Sequence, residues 1–67
     1  MTTVWLNDER REIGLGTTLA ALMAEHGVPA RGVAVAVDGT VVPRASWATV
    51  ALLEGSHVEV LTAVQGG

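Results

Sequence analysis

Sixty-seven residues, 49% of them apolar and none of them cysteine, make one small domain that has no disulfide framework and no thiolate metal site to lean on. At this length roughly 60% of the unfolded surface can be buried, so valine, leucine and alanine must do the stabilising. A formal charge of −3, from four arginines, no lysine and seven acidic residues, argues against nucleic acid and against an anionic membrane surface, and suits a partner with a basic groove.

The opening "MTTVWLNDER" lacks the basic start and long apolar run of a signal peptide, and no stretch approaches a membrane span, so the expected location is cytoplasmic. Residues 2–7, "TTVWLN", are β-branched and aromatic and predict a strand. "DERR" (8–11) reads as a turn, and "EIGL" (12–15) as a short returning strand whose exit carries Gly14 and Gly16. These two glycines are too sparse for a phosphate-cradling loop, and a turn is the simpler reading. "TTLAALMAEHG" (17–27) predicts the helix: Thr17 or Thr18 caps it, Leu19, Leu22 and Met23 share a face, Gly27 ends it and Pro29 stops continuation. His26 falls in the last turn, where the helix dipole favours a cation, and no metal-type residue is spaced to join it.

"GVAVAVDG" (32–39) predicts a strand with Val33, Val35 and Val37 on one face and Ala34 and Ala36 on the other. Asp38-Gly39 is a two-residue hairpin signal, and "TVV" (40–42) returns until Pro43. "RASWATVALLEGS" (44–56) is a connection without clear period, with Trp47, Leu52 and Leu53 expected to plug it onto the core and Glu54-Gly55 as a turn. "HVEVLTAV" (57–64) is the last strand, opened by His57 as a solvated strand-end residue and valine-rich as an interior strand should be. One helix among five short strands buries its single apolar stripe by crossing one face of the sheet, which makes a two-layer α+β sandwich.

Alternation in the last strand sets Val58 and Val60 on one face, and Glu59, Leu61 and Ala63 on the other. A glutamate does not belong in so small a core, so its face is the open one, with Leu61 and Ala63 exposed on it, joined by Ala34 and Ala36 if the valines of their own strand face the helix. Such a patch is either a docking surface or ordinary surface. Residues 1–63 thus form the domain, and 64–67 a tail reaching roughly 13 Å when extended. Gly66 and Gly67 lack Cβ and can pass a slot that any side chain would block, although two terminal glycines also arise by chance. A terminal carboxylate is an anion at neutral pH and a poor electrophile. The most direct activation is attack on the α-phosphate of ATP inside an enzyme holding Mg²⁺, after which a sulfur donor can displace AMP and leave a thiocarboxylate. The histidines and carboxylates are scattered and form no triad or metal cluster, so no enzymatic activity of the chain itself is expected.

The stretch "VDGTVVPRASWATVALLEGSHVEVLTAVQGG" resembles the C-terminal half of the ThiS family, ubiquitin-like β-grasp sulfur carriers of thiamine biosynthesis. The match is carried by Asp38-Gly39, Val42-Pro43-Arg44, Trp47, Gly55, Glu59 and Val64-Gln65-Gly66-Gly67; the earlier half agrees in length and element order. Asn is more frequent in the family where Asp38 stands, and an acidic residue where Ser56 stands. The resemblance implies a β-grasp fold, a mixed four- to five-stranded sheet with one helix across one face. It further implies that the Gly67 carboxylate is adenylated by an E1-like enzyme (ThiF), receives sulfur ultimately from a cysteine desulfurase, and donates it to thiazole synthase (ThiG). Val64, Gln65 and Gly66 would thread the partners' clefts, with Leu61 and Ala63 beside them. Arg44 matches a recurrent family position, as a partner contact or as a pin for the loop after Pro43. No cofactor is implied for the chain itself, ATP and Mg²⁺ belonging to the activating partner. Three other readings keep the fold: a molybdopterin-synthase-type carrier, a modifier forming isopeptide bonds, and a β-grasp binding module with an irrelevant tail.

Overall fold

The computed structural model describes residues 1–29 and 31–62. The tail 64–67, the last two residues of the expected final strand and the 63/64 domain boundary therefore lie outside the described residues. In chain order the elements are β1 (Thr2–Leu6), β2 (Glu9–Ile13), α1 (Leu19–Glu25), β3 (Val33–Val37), β4 (Thr40–Val41), the 3-10 helix η1 (Arg44–Thr49) and β5 (His57–Thr62). One five-stranded mixed sheet has the order β2-β1-β5-β3-β4. β5 is central, parallel to β1 and antiparallel to β3, and both outer pairs are antiparallel hairpins. With α1 across one face, this is the ubiquitin-like β-grasp arrangement, and the sheet has five strands.

Two hairpins turn on two-residue loops. Asp38 (φ 51°) and Gly39 (φ 84°) both take left-handed backbone, as a type I′ turn demands. Asn7 (φ 48°) and Asp8 (φ 66°) do the same between Leu6 and Glu9, which corrects the expected turn at 8–11. β2 therefore begins at Glu9, not at residue 12, and ends at Ile13. Its Glu9, Arg10, Arg11 and Glu12 are all exposed. They form a charged edge strand in which each face carries one ion pair, with Arg11 on Glu9 at 2.7 Å and Arg10 on Glu12 at 3.3 Å.

α1 follows from its caps. Thr18, in extended backbone, accepts a hydrogen bond from the Ala21 amide at 3.2 Å. At the other end the Gly27 amide reaches the Ala24 carbonyl and the Val28 amide reaches that of Met23, the paired bonds of a Schellman motif on a left-handed glycine. The Leu19, Leu22 and Met23 stripe is fully buried against Val4, Val35 and Val58 of the sheet, with Ile13, Trp47 and Leu52 closing the core.

The connection expected to be irregular holds η1, because Pro43 (φ −59°) starts a tight turn continued by Ser46 N–H on the Pro43 carbonyl. Trp47 is buried and its indole N–H donates to the Val42 carbonyl at 3.0 Å. Beyond η1, Val50 accepts from the Leu19 amide and the Leu52 amide donates to Thr17, stitching the segment to the start of α1. Leu52 is core, but Leu53 is 71% exposed; one residue on, the side chain points the other way, and its expected core role is corrected. No helix among the described residues is long and apolar enough to cross a membrane.

Leu22 has no exposed surface, and its truncation to alanine leaves a cavity that seven residues of helix cannot close. Leu22→Ala is expected to cost about 3 kcal/mol in urea unfolding, within the range for buried leucines.

Candidate functional site

The site is the uncovered face of the sheet, centred on β5. Val58 is buried beneath α1 and Val60 half-buried, whereas His57, Glu59 and Leu61 are exposed on the opposite face. Register carries that face across neighbouring strands: Ala36 lies opposite Glu59, Ala34 opposite Leu61, and Val41 opposite Ala36. Leu61 (65% exposed) and Val41 (66%) are its large apolar members, on either side of the two alanines. Small residues beneath exposed large ones leave a shallow apolar strip that ends where the described chain ends, at Thr62.

β5 is held on both sides almost to that point. Toward β3 it is paired as far as Thr62, opposite Val33. Toward β1 backbone pairing stops early, because β1 turns away at Asn7. The Asn7 side chain replaces the missing strand: its Oδ1 accepts the Val60 amide at 2.8 Å and its Nδ2 donates to the Val60 carbonyl at 3.3 Å. One amide thus mimics a peptide unit and keeps β5 straight after its neighbour has gone.

At the start of β5 the same face carries a second feature. Trp5 and His57 lie side by side on the parallel pair β1/β5, with rings stacked at 6.1 Å between centroids and 14° between planes. They wall a cavity of about 390 Å³ whose rim includes Asp8, Asp38, Gly39 and Glu59. Asp38 uses Oδ1 to accept the His57 amide at 2.9 Å, which locks the β3–β4 turn against β5. Among the described residues no group of three or more histidines and carboxylates is arranged to hold a metal ion.

The residues singled out from sequence do not all converge. Leu61 stands on the open face as expected. Arg44 does not join it: it opens η1 on the helix side, at a groove formed with Ala20, Met23, Ala24, Val28, Trp47 and Ala48. The indole of Trp47 and the Pro43 carbonyl, not Arg44, make the hydrogen bonds that secure the loop. Ala63, Val64, Gln65, Gly66 and Gly67 lie outside the described residues. No local signal in the sequence marks the Trp5–His57 stack or the Asn7 bracket. Both join residues about fifty positions apart, and become visible only once β1 and β5 are known to be neighbours.

Comparison with known proteins bears on the whole chain. The model of the ThiS family matches residues 4–67. A thiazole synthase of Paramagnetospirillum magneticum is 37% identical over 62 residues, which are 92% of this chain but 19% of that protein, so the chain spans less than a fifth of that relative's length. The crystal structure of a thiamine biosynthesis protein (ThiS) from Geobacter metallireducens has the same fold, with a TM-score of 0.85 at 22% identity, covering 98% of this chain and 100% of the other.

If the Asn7 side chain is what holds β5 beyond Val58, Asn7→Ala loosens the strand locally. Hydrogen exchange of the Val60 amide should accelerate by about tenfold, the equivalent of one or two modest hydrogen bonds, with the Val58 amide far less affected.

Proposed function

The chain belongs to the ThiS family, and from that premise we propose that it is a sulfur carrier of thiamine biosynthesis, a protein-sized co-substrate and not a catalyst. The observation that carries this reading is the family match from residue 4 through the Gly66-Gly67 pair. The sheet supports it: a central strand, braced on both sides and flanked by an uncovered apolar strip, is the element that precedes those glycines in the sequence.

The Gly67 carboxylate does the chemistry. One of its oxygens attacks the α-phosphorus of ATP in an E1-like adenylyltransferase, pyrophosphate leaves, and the acyl-adenylate becomes the electrophile the carboxylate was not. A sulfur nucleophile, supplied ultimately by a cysteine desulfurase, adds to that carbonyl and expels AMP, leaving the thiocarboxylate. The chain contains neither cysteine nor lysine, so no side-chain thiol or amine of its own competes for the activated carbonyl. ATP and Mg²⁺ are the partner's. Gly66 and Gly67 let the backbone enter a narrow cleft, Val64 and Gln65 lie along its approach, and Leu61 and Ala63 meet its rim. Similarity to part of a thiazole synthase supports delivery of the sulfur to thiazole formation.

The test is the intact mass after incubation with ATP, Mg²⁺, an E1-like adenylyltransferase and a sulfide source. The expected result is a mass increment for one oxygen replaced by sulfur, localised to Gly67 by fragmentation and absent when Gly67 is deleted, with folding of the deleted chain unchanged by circular dichroism. No increment, under conditions that thiolate a known carrier, overturns the proposal. Capture of the large subunit of molybdopterin synthase in place of thiazole synthase would keep the carrier chemistry and change the pathway.

A further inference from the structure

The stacked pair Trp5 and His57 is unusual on an exposed sheet face, since neither ring is needed for the core: Trp5 is half-buried and His57 exposed. The rings stand at the opposite end of β5 from the tail. His57 is four residues from Leu61, or about 13 Å along the strand. Three carboxylates gather around them: Asp8 from the β1–β2 turn, Asp38 from the β3–β4 turn and Glu59 from β5 itself. The one arginine of this face near the stack, Arg10, lies opposite Trp5 on β2 and is already engaged by Glu12. Asp38 spends one oxygen on the His57 amide. Among the described residues, Asp8 and Glu59 have no side-chain hydrogen bond or ion pair.

A cavity with an aromatic wall and an anionic rim selects for a cation that is also flat. Guanidinium fits both requirements: it stacks on aromatic rings and offers paired N–H donors to carboxylates, whereas an ammonium is a strongly hydrated point charge. The cavity also continues the apolar strip of Leu61, Ala34 and Ala36 on the same face, so a protein covering the strip and receiving the tail lies over the stack as well. We propose that the Trp5–His57 cavity takes an arginine side chain of the protein that adenylates the tail, anchoring that partner about 13 Å along β5 from Leu61. This rests on the carrier reading for the identity of the partner, but not for the chemistry of the cavity.

Two measurements test it and keep those two parts separate. In the first, the isolated chain is titrated with Nα-acetyl-arginine amide and, in parallel, with the uncharged citrulline analogue, following the indole resonances of Trp5 with the buried Trp47 as an internal reference. Arginine amide should shift Trp5 saturably and citrulline amide should not, and the arginine response should be lost in Glu59→Arg. In the second, Glu59→Arg and His57→Ala, both at exposed positions, are assayed as substrates of the adenylyltransferase. The expected change is a rise in KM for the carrier of about tenfold in Glu59→Arg and less in His57→Ala, appearing in KM and not in kcat because only binding is lost. Equal responses of Trp5 to both amides, or a wild-type KM in Glu59→Arg, overturn the proposal while leaving thiocarboxylate formation intact. If no thiocarboxylate forms with the wild-type chain, the carrier reading fails and the amide titration alone decides the cavity.

Discussion

Leu19, Leu22 and Met23 pack against Val4, Val35 and Val58, and this single contact between a two-turn helix and a five-stranded sheet is what the rest of the molecule depends on. With no disulfide available, burial on one side of the sheet has to supply the stability, and a helix of seven residues can shield only one side. The pattern of η1 shows how fully that side is used: Trp47 extends the layer beyond the helix, and Leu52 seals its end. The other side is left to solvent for want of material. Its composition then becomes free to serve recognition, because nothing on it is required for the core.

The central position of β5 converts that one-sided core into a means of presentation. β5 is paired along β3 as far as Thr62, bracketed on its other edge by β1 and the Asn7 side chain, and pinned underneath by Val58. The first and last strands of the chain are neighbours, and Trp5 with His57 and Asn7 with Val60 are joined across nearly the whole sequence. Rigid elements locate chemistry more tightly than loops do. Here the rigid part extends almost as far as the described chain.

Much of this was legible in the residues themselves. Helix caps, the i, i+3, i+4 stripe and Asp38-Gly39 are local signals, and each reports a local constraint. The β1–β2 turn is hidden in the sequence because Asn7 and Asp8 adopt positive φ without a glycine, while the charged residues after them look like loop although they form an edge strand that needs no buried face. η1 leaves no signal because three residues per turn matches neither the helical nor the strand period, and for Leu53 parity along the chain, not hydrophobicity, decides exposure. Arg44 is singled out by family resemblance alone, and the route of the chain after Pro43 puts it on the helix side. The paired rings and the Asn7 bracket required strand order, which no window of the sequence contains.

The edge strand β2 has a consequence of its own. Glu9, Arg10, Arg11 and Glu12 read the same in both directions. A second copy laid antiparallel along this border, centred between the two arginines, would face glutamate with glutamate and arginine with arginine, and directly opposed like charges are unfavourable. The border thus rejects its mirror partner in that register while leaving its backbone available to a strand of other sequence.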